Sequence, residues 1–360
     1  MRRTSVVSLA IGIVGVAAVV ALALVGSDVT PSYLGAWLTI LALPLGALPL
    51  VMVGDLLGLP ETRLLRMLRR LVALMPVAAL LIIPVLLRLD ALYPSLRLAK
   101  RGLPGWWMTP GFFVIRALVF LVIWTALSFV FARAPGRNGR RRSILAGLGL
   151  ALHVVFGTLA ADDWAQLVEP GFTSSAYGLL FIVAQMSIAV CLAVVLTVTV
   201  RPETEAARDL AADRRDLDAA RQVATGLAVL LGIWGFLAFT QFLVAWSANL
   251  PREVTWYQHR AAGFGLVAQY SAAILCGLAL VALLARDLSR HAGLIAWVAA
   301  ALLVMHALEM FWLVTPAFRA SFSLTWADLA ALTAAAGLGI GMVLVFDGRA
   351  SRGRVGHGAA

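Results

Sequence analysis

Four ionisable side chains lie inside long apolar runs of the sequence and are candidates for chemistry. They are Arg116, His153, His306 and Glu309. Placing such a group in hydrocarbon costs about 2.5–3.5 kcal/mol on insertion scales, so one that is retained usually marks a functional site. His306 and Glu309 are three residues apart, which puts an imidazole and a carboxylate on one helical face, where they can pass a proton. The pattern predicts proton transfer within an apolar layer.

Depth estimates place three charged residues at one level of that layer. Arg116 lies four residues inside one end of its apolar run, and Glu309 lies five residues inside the corresponding end of another. At 1.5 Å per residue, these positions are about 6 Å and about 8 Å deep. Asp163 lies just beyond the end of a third run. An arginine and two carboxylates at one depth can also pair statically between helices, which is the alternative to a proton path.

The composition of the chain identifies this layer as a membrane. Of 360 residues, 62% are hydrophobic and 13% are charged, whereas a soluble domain has about 45–50% apolar and about 25% charged residues. This difference excludes a soluble enzyme, a disordered chain and a nucleic-acid-binding module, despite a formal net charge of +11. The excess of Lys and Arg is instead typical of membrane-protein loops.

The apolar residues form runs long enough for transmembrane helices, which need about 17–25 residues each. The runs are much too long for barrel strands of about 10 residues, so we predict an all-α polytopic membrane protein. The first run could instead belong to a signal peptide, although its 21 residues are long for one. The ten runs cover residues 5–25, 34–53, 71–87, 112–131, 144–161, 177–200, 223–246, 261–285, 292–314 and 329–346.

The distribution of Lys and Arg predicts the orientation of the chain. With the N-terminus in the cytoplasm, 21 of the 29 Lys and Arg residues fall in cytoplasmic segments, seven fall on the opposite side, and Arg116 lies within a span. The positive-inside rule therefore predicts that both termini are cytoplasmic. Residues 1–200 form the first half, 201–222 a charged cytoplasmic connector, 223–346 the last four helices and 347–360 a cytoplasmic tail.

The cysteine content limits the cofactors that the chain can hold. Cys191 and Cys276 lie in separate apolar runs, so the sequence provides neither a haem-attachment motif nor a set of Fe–S ligands. No nucleotide-binding, metalloprotease or nucleophile-elbow motif occurs. We predict that this chain binds no haem, Fe–S cluster or metal, so that any redox centre is diffusible or belongs to another subunit.

Tryptophan is concentrated at the ends of the spans that the topology places outside the cytoplasm. Such positions favour an aromatic belt at the membrane interface. The residues concerned are Trp106, Trp107, Trp164, Trp246, Trp256 and Trp326.

Polar and aromatic motifs occur along residues 70–320 in an order typical of one membrane-protein family. The strongest block, residues 236–260, contains Gln241, Asn249, Glu253, Trp256, Tyr257 and Arg260, and its specific part runs from Asn249 to Arg260. The other blocks contain Met75, Tyr93, Pro110, Arg116, Trp124, Asp163, Trp164, Glu169, Gln185, Glu309 and Trp312. The pattern resembles NrfD-like membrane subunits, and most closely the second quinone-binding-type subunit (ActF) of alternative complex III, a bacterial quinol:cytochrome c oxidoreductase. The chain departs from it at Arg252, where an acid is usual, and at Glu309, where aspartate is expected.

The resemblance implies a fold, a location and partners. It implies two four-helix bundles, formed by helices 2–5 and 6–9, with one flanking helix at each end, in the bacterial inner (cytoplasmic) membrane. The implied cofactor is a quinone or quinol, either menaquinone or ubiquinone. The implied partners are a related NrfD-like subunit, a periplasmic Fe–S/molybdopterin-like subunit, a multihaem cytochrome c and the surrounding membrane lipid.

The resemblance also suggests roles for individual residues. Asp163 and His153 would act as base and relay at a quinol, and a proton path or its charge gate would comprise Arg116, His306 and Glu309. The residues expected to face the quinone or a partner subunit are Trp164, Gln241, Asn249, Glu253, Trp256, Tyr257 and Arg260. The chain would then be a membrane subunit of a quinol oxidoreductase, with cytochrome c or another acceptor, and would not be catalytic alone.

Three other functions fit the sequence. The chain could be an NrfD-type anchor of a different molybdoenzyme, a secondary transporter, or a structural subunit needed for assembly. A transporter would have interrupted half-helices at matching positions of its two halves. The sixth to ninth spans contain no proline, whereas two early spans are interrupted by Pro44, Pro49, Pro76 and Pro84. A structural subunit predicts that neutralising Asp163 or Glu309 changes assembly and not turnover.

Overall fold

Long apolar segments form helices throughout the chain because a helix satisfies its backbone hydrogen bonds internally. The structure, a computed structural model, describes residues 3–97, 105–134, 139–169, 171–199 and 213–356, except for the side chains of residues 97, 213–219 and 347–356. Within these residues there is no strand, and ten helical segments are long and apolar enough to cross a membrane. The protein is an all-α, multi-pass membrane protein, which confirms the predicted fold class.

Fourteen α-helices are present in the described part of the chain. The third span comprises three successive short helices (α3, α4 and α5), and α11 is a short helix between two spans. The helices are α1 (Arg3–Leu24), α2 (Thr30–Leu56), α3 (Arg63–Val72), α4 (Met75–Leu80), α5 (Ile83–Leu87), α6 (Leu89–Leu92), α7 (Pro110–Phe131), α8 (Gly139–Ala161), α9 (Tyr177–Thr199), α10 (Asp213–Ser247), α11 (Pro251–Ala261), α12 (Gly265–Leu284), α13 (Ala292–Val314) and α14 (Trp326–Gly356).

The third span is broken near Pro76 and Pro84, as the sequence predicted, but it begins at Arg63 and not at residue 71. Helix α3 begins at Arg63, where the hydroxyl of Thr62 caps the helix. Two further helices then start with Pro76 and Pro84 in their first turns. A proline fits this position because the first turn leaves backbone N–H groups unpaired in any case. The prolines therefore set the points at which the span restarts.

Helix α2 continues through its two prolines, so the predicted interruption of this span is wrong. Pro44 and Pro49 lie inside α2, which is buried along most of its length. Packed neighbours stabilise a transmembrane helix at positions where proline removes a hydrogen bond. A side chain at Gly46 would overlap the backbone carbonyl of Gln185 on α9. The two helices therefore approach each other closely.

Helices α2 and α9 form the centre of the molecule. In the first half, α2 packs against α3, α4, α7 and α8. In the second half, α9 packs against α10 and α13, and α12 packs against both α10 and α13. We refer to these groups as the first bundle and the second bundle. They meet where α2 contacts α9 and α13.

Helix α1 is attached mainly to α14, and glycine makes this contact possible. A Cβ atom on Gly12 would overlap the backbone at Gly337 and Leu338, and one on Gly15 would overlap Ala334. Most other side chains of α1 are exposed. In lipid, where water does not drive helices together, such small residues allow the close packing that holds two helices in contact.

We predict that Gly337→Val will separate α1 from α14. The new side chain meets the backbone of Gly12, and overpacking of this kind costs about 1–3 kcal/mol. Gly232→Val is the matched control, because it places the same residue in a spanning helix where a Cβ atom meets nothing within 4 Å. The midpoint of thermal unfolding in detergent should fall for Gly337→Val and remain nearly unchanged for Gly232→Val. Equal shifts would contradict the assigned contact.

Candidate functional site

Asp163 and Arg116 form a buried ion pair in the first bundle. Helix α8 continues into a π-helical turn, Asp162–Gln166, which directs Asp163 and Trp164 into the protein. Arg116 donates from Nε to Asp163 Oδ2 (2.8 Å) and from Nη2 to Asp163 Oδ1 (2.7 Å). The two side chains are 5% and 9% exposed. Two parallel hydrogen bonds between a guanidinium and a carboxylate form a strong and directional contact.

Other contacts hold Arg116 in place. Its Nη1 donates to the carbonyl oxygen of Trp107 (2.6 Å), and its guanidinium carbon lies 4.5 Å from the centre of the Trp107 ring and 4.9 Å from that of Phe112. Aromatic faces attract a cation at such distances. Arg116 thus donates to both carboxylate oxygens of Asp163 while its own position is fixed by Trp107 and Phe112.

His153 lies in the interior of the first bundle with both ring nitrogens unpaired. Its side chain is 1% exposed, and neither nitrogen has a hydrogen-bond partner among the described residues. The ring of Trp124 is centred 6.0 Å from the His153 ring and 6.0 Å from the Trp164 ring. The indole N–H groups of both tryptophans are likewise buried and unpaired in the described part of the chain. We call His153, Trp124 and Trp164 the His153 site.

Unpaired polar atoms make the His153 site unusual for a protein interior. Each buried donor or acceptor without a partner costs about 1–3 kcal/mol. Nearly all such groups in native proteins are paired with protein atoms, ordered water or a ligand. The rings in contact with Trp124 and Trp164 include those of Phe120 and Phe156. A ligand or an ordered water with hydrogen-bonding groups of its own would satisfy these nitrogens.

A hydrogen bond from Tyr93 and a ring contact with Trp37 fix the position of Trp164. The hydroxyl of Tyr93 donates to the carbonyl oxygen of Trp164 (2.9 Å), and burial raises the pKa of Tyr93 well above its usual value, so that it stays a neutral donor. The ring of Trp37 meets that of Trp164 edge-on at 5.1 Å. Trp37 in turn donates to the carbonyl oxygen of Ala78 (3.0 Å). Trp164 thus belongs to the core.

In the second bundle, His306 and Glu309 contact each other, as their spacing predicted. His306 Nδ1 lies 2.7 Å from Glu309 Oε2, and Trp234 on α10 donates from Nε1 to Glu309 Oε1 (2.9 Å). His306 is fully buried, and the Glu309 side chain is 12% exposed. We call Trp234, His306 and Glu309 the His306 site. The three charged residues predicted at one depth are therefore divided, with Arg116 and Asp163 in the first bundle and Glu309 in the second.

Arg260 attaches α11 to the end of the second bundle. It donates from Nη1 to Glu169 Oε2 (2.5 Å) and from Nη2 to the carbonyl oxygen of Leu313 (2.7 Å). Its guanidinium carbon lies 3.7 Å from the centre of the Trp256 ring, whose other contacts include a stack on Phe172 at 4.1 Å. Burial lowers the pKa of Arg260, and the Glu169 carboxylate opposes that shift. Trp256 and Arg260, two residues of the block at 236–260, are therefore packed within this chain.

The loop between the π-helical turn and α9 is held by the remaining polar residues of the motif. Gln241 accepts a hydrogen bond from Ser174 Oγ (2.9 Å) and donates one to Tyr257 (3.1 Å). Thr173 donates to Glu253 Oε1 (3.1 Å). Burial raises the pKa of Tyr257 to about 12. These contacts join the loop to α10 and α11 at one end of the second bundle, which we call the α11 end.

Asn249 forms the turn between α10 and α11. Its φ of 45° lies in the left-handed region, which Asn adopts more readily than most residues. The N–H of Leu250 donates to the carbonyl oxygen of Ala245 (3.2 Å), and the N–H of Asn249 donates to that of Trp246 (3.2 Å). These bonds are typical of a helix C-terminus. Asn249 is exposed, so the turn accounts for asparagine at this position.

The predicted tryptophan belt requires exposed side chains, which some of these residues have and others lack. Trp106, Trp246 and Trp326 are 57%, 64% and 78% exposed, as a residue of an interfacial belt would be. Trp164 and Trp256 are 0% and 3% exposed and belong to the core. Proximity to a span end gives the depth of a residue but not the direction of its side chain.

An ion-pair network that the sequence patterns did not predict lies at the end of the bundles opposite the α11 end. Asp55, at the end of α2, pairs with Arg69 Nη2 (2.5 Å) and with Arg142 Nε (2.7 Å). Arg69 also donates to the carbonyl oxygen of Phe131 (3.0 Å). These contacts connect α2, α3, α7 and α8. The sequence signal for this network is Asp55, an acidic residue two positions beyond a predicted span. Its partners are arginines that the sequence interpretation used only to predict topology.

A second missed network connects the beginnings of α2 and α14. Arg319 donates from Nη1 to Asp328 Oδ2 (2.6 Å) and from Nη2 to Asp328 Oδ1 (2.9 Å). Ser32 donates to Asp328 Oδ1 (2.7 Å). His259 Nε2 lies 2.9 Å from the carbonyl oxygen of Arg319, which adds α11 to the network. These contacts fix the α11 end, as the Asp55 network fixes the opposite one.

Metal-binding groups and known relatives provide no further assignment. In the part of the chain that the structure describes, no three His, Cys, Asp or Glu side chains could together hold a metal ion. Cys191 and Cys276 are free and buried. No protein-family model and no curated protein matches the chain. The assignment of a function to this chain therefore depends on the geometry of the His153 and His306 sites.

We predict that Asp163→Asn and Arg116→Gln will each destabilise the protein. Either change leaves one buried charge without its partner, which costs about 3–5 kcal/mol. The double variant removes both charges and should recover most of this loss. Unfolding in SDS–detergent mixtures measures the three free energies. If the effects of the two single variants simply add in the double variant, the two residues do not form the pair described above.

Proposed function

We propose that this chain is a membrane subunit of a quinol-oxidising electron-transfer complex. In this proposal, the first bundle binds a quinol or quinone headgroup at the His153 site, and the second bundle provides a proton path. The observation that carries the proposal is the group of buried, unpaired polar atoms on Trp124, His153 and Trp164.

The hydrogen-bonding groups of the His153 site fit a quinol headgroup. A neutral imidazole offers one acceptor and one donor, and each indole offers a single donor. A quinol hydroxyl both donates and accepts, and a quinone carbonyl accepts. The site is enclosed by aromatic rings, among them Trp37 and Phe120, which lie against Trp164. Sites for small aromatic cofactors are typically apolar, with a few polar groups that fix the orientation of the ligand.

Electron transfer requires partners that this chain does not contain. A bound quinol supplies two electrons and two protons. The two cysteines lie far apart in the sequence and in separate spans, and they do not form an Fe–S ligand set. Electrons would therefore leave through a neighbouring Fe–S/molybdopterin-like subunit or a multihaem cytochrome c, next to a related NrfD-like subunit. The role of this chain is to bind, orient and deprotonate the headgroup.

Proton handling in this proposal is divided between the bundles. In the first bundle, His153 is the proton acceptor, and Asp163 is held in an ion pair with Arg116. Asp163 then positions the π-helical turn that carries Trp164. In the second bundle, His306 and Glu309 are the proton-carrying pair. Moving one proton through a potential of 100 mV is worth about 2.3 kcal/mol, so such a path could conserve energy.

The proposed location is the bacterial inner membrane, with both termini in the cytoplasm. The end of the bundles that contains Asp55 also carries the exposed residues Arg133, Arg140 and Arg141, and basic loops of this kind remain in the cytoplasm. The α11 end would then face the periplasm, where the partner subunits would bind.

The continuity of the helices argues against a secondary transporter. The third span is broken, but α9, α10, α12 and α13 are each continuous, so the second half does not repeat the break. Transporters usually place broken helices at corresponding positions of both halves. An NrfD-type anchor of another molybdoenzyme shares the proposed chemistry and differs in its partners.

We predict that His153→Phe will weaken quinone binding without destabilising the protein. Phenylalanine keeps the ring that packs on Trp124 and removes two unpaired nitrogens, so the free energy of unfolding should stay equal or rise. Losing a hydrogen bond of about 1.4 kcal/mol corresponds to about a tenfold loss of affinity. Quinone binding to the purified full chain in nanodiscs measures this. His291→Phe, at an exposed histidine, is the control, and equal affinity in both variants would contradict the site.

We predict that the chain, isolated from its native membrane in mild detergent, co-purifies with a haem-containing partner and with lipoquinone. Haem spectra and quinone extraction measure the two components. The His153→Phe variant should retain the haem partner and lose quinone, because assembly does not depend on that side chain. A chain that purifies without a haem-containing or Fe–S/molybdopterin-like partner would contradict the respiratory assignment.

A further inference from the structure

We infer that the second bundle contains a binding site for a hydroxyl group at His306 Nε2. In this site, Glu309 and Trp234 fix the imidazole as a proton acceptor. The ligand is the O–H of a water molecule or of a phenol-type amphiphile. The inference deepens the proposed proton path and rests on it for the direction of proton flow, but binding at Nε2 follows from the contacts of His306 alone.

The hydrogen bonds around Glu309 determine which nitrogen of His306 carries the proton. The indole N–H of Trp234 can only donate, so Glu309 Oε1 is its acceptor, at 2.9 Å. The remaining oxygen, Oε2, lies 2.7 Å from His306 Nδ1. In its ionised form this carboxylate can only accept a hydrogen bond, so its pairing with His306 places a proton on Nδ1. In a neutral imidazole the lone pair then lies on Nε2.

The Nε2 atom of His306 can accept a hydrogen bond through that lone pair. His306 is fully buried, and its Nε2 has no partner among the described residues. The Trp234 ring stands perpendicular to the imidazole at 5.1 Å, which holds the imidazole plane. An acceptor buried in this way needs a donor, and a hydroxyl is the smallest neutral group that provides one.

The second bundle also contains buried donors that need an acceptor. Trp312 Nε1 and Gln269 Nε2 are buried and unpaired within the described chain. Trp312 follows Glu309 by three residues on α13, and Gln269 lies on α12. A hydroxyl group both donates and accepts a hydrogen bond. Ligands with a hydroxyl group can therefore pair with Nε2 of His306 and also with these buried N–H donors. A carbonyl compound could serve the donors but not Nε2.

Glu309 has electrostatic neighbours on the other helices of the second bundle. It interacts electrostatically with the Tyr177 hydroxyl of α9 and with the Cys276 thiol of α12. Trp234 on α10 completes the set. The site is therefore enclosed by the second bundle, and it shares no residue with the His153 site. The two sites can be tested separately.

Nitrogen-15 NMR of the full chain in nanodiscs, with labelled histidine, tests the assignment of the proton. His306→Gln identifies the resonances of His306. We expect wild-type protein to show a protonated Nδ1 and an unprotonated Nε2. In Glu309→Gln, Trp234 holds the amide oxygen, so the amide N–H₂ faces Nδ1, and the proton should move to Nε2. In the double variant with Trp234→Phe the amide can rotate, and both tautomers should be populated.

The source of the hydroxyl is tested on the same sample. Water as ligand gives cross-peaks between water and the ring C–H groups next to Nε2 in protein that has been freed of quinone. A phenolic ligand gives a saturable shift of the Nε2 resonance on addition of duroquinol, measured in the His153→Phe background. Either result supports the site and identifies the ligand. Neither result, or a wild-type proton on Nε2, would overturn the inference.

These outcomes are separate from those of the proposed function. If quinone binding is lost in His153→Phe but His306 carries its proton on Nε2, only this inference fails. If His306 has the expected tautomer and the chain purifies without redox partners, the respiratory function fails and the hydroxyl site remains.

Discussion

The structure depends on one constraint, which is that polar groups inside a membrane cannot be hydrated and must find partners within the protein. Arg116 meets this requirement with both oxygens of Asp163 and the carbonyl of Trp107. Asp55 meets it with two arginines, and Asp328 with Arg319 and Ser32. Because these buried charges are paired, the buried polar atoms that have no partner among the described residues are candidates for contact with a ligand.

The paired charges also hold the helices together. Water does not drive helices together inside lipid, so association depends on close packing and on polar contacts. The networks at Asp55 and Asp328 connect helices at opposite ends of the molecule, and glycine allows α2 to approach α9 and α1 to approach α14. His153 and His306 lie between these ends, each with a ring nitrogen that has no hydrogen-bond partner among the described residues.

The two histidine sites differ in a way that matters for their chemistry. The neighbours of His153 are aromatic rings, which do not set its tautomer, so a bound ligand would determine it. His306 has a carboxylate on one nitrogen, and Trp234 fixes that carboxylate. A neighbouring carboxylate sets the tautomer of an imidazole. The tautomer of His306 is therefore set by residues of the chain, whereas that of His153 is not.

The sequence by itself determined that the chain lies in a membrane, that it has ten spans and that His306 contacts Glu309, because hydropathy and helical spacing are local properties. It predicted the depth of Trp164, Trp256, Arg116 and Glu309 but not their partners. Only the tertiary structure decided that Arg116 pairs with Asp163, that Trp234 binds Glu309 and that Asp55 joins two arginines from distant helices. Depth along a helix follows from residue number, whereas the direction of a side chain depends on which helices pack together. That packing is set by contacts between residues far apart in the chain, such as Gly46 with Gln185, and no local pattern encodes them.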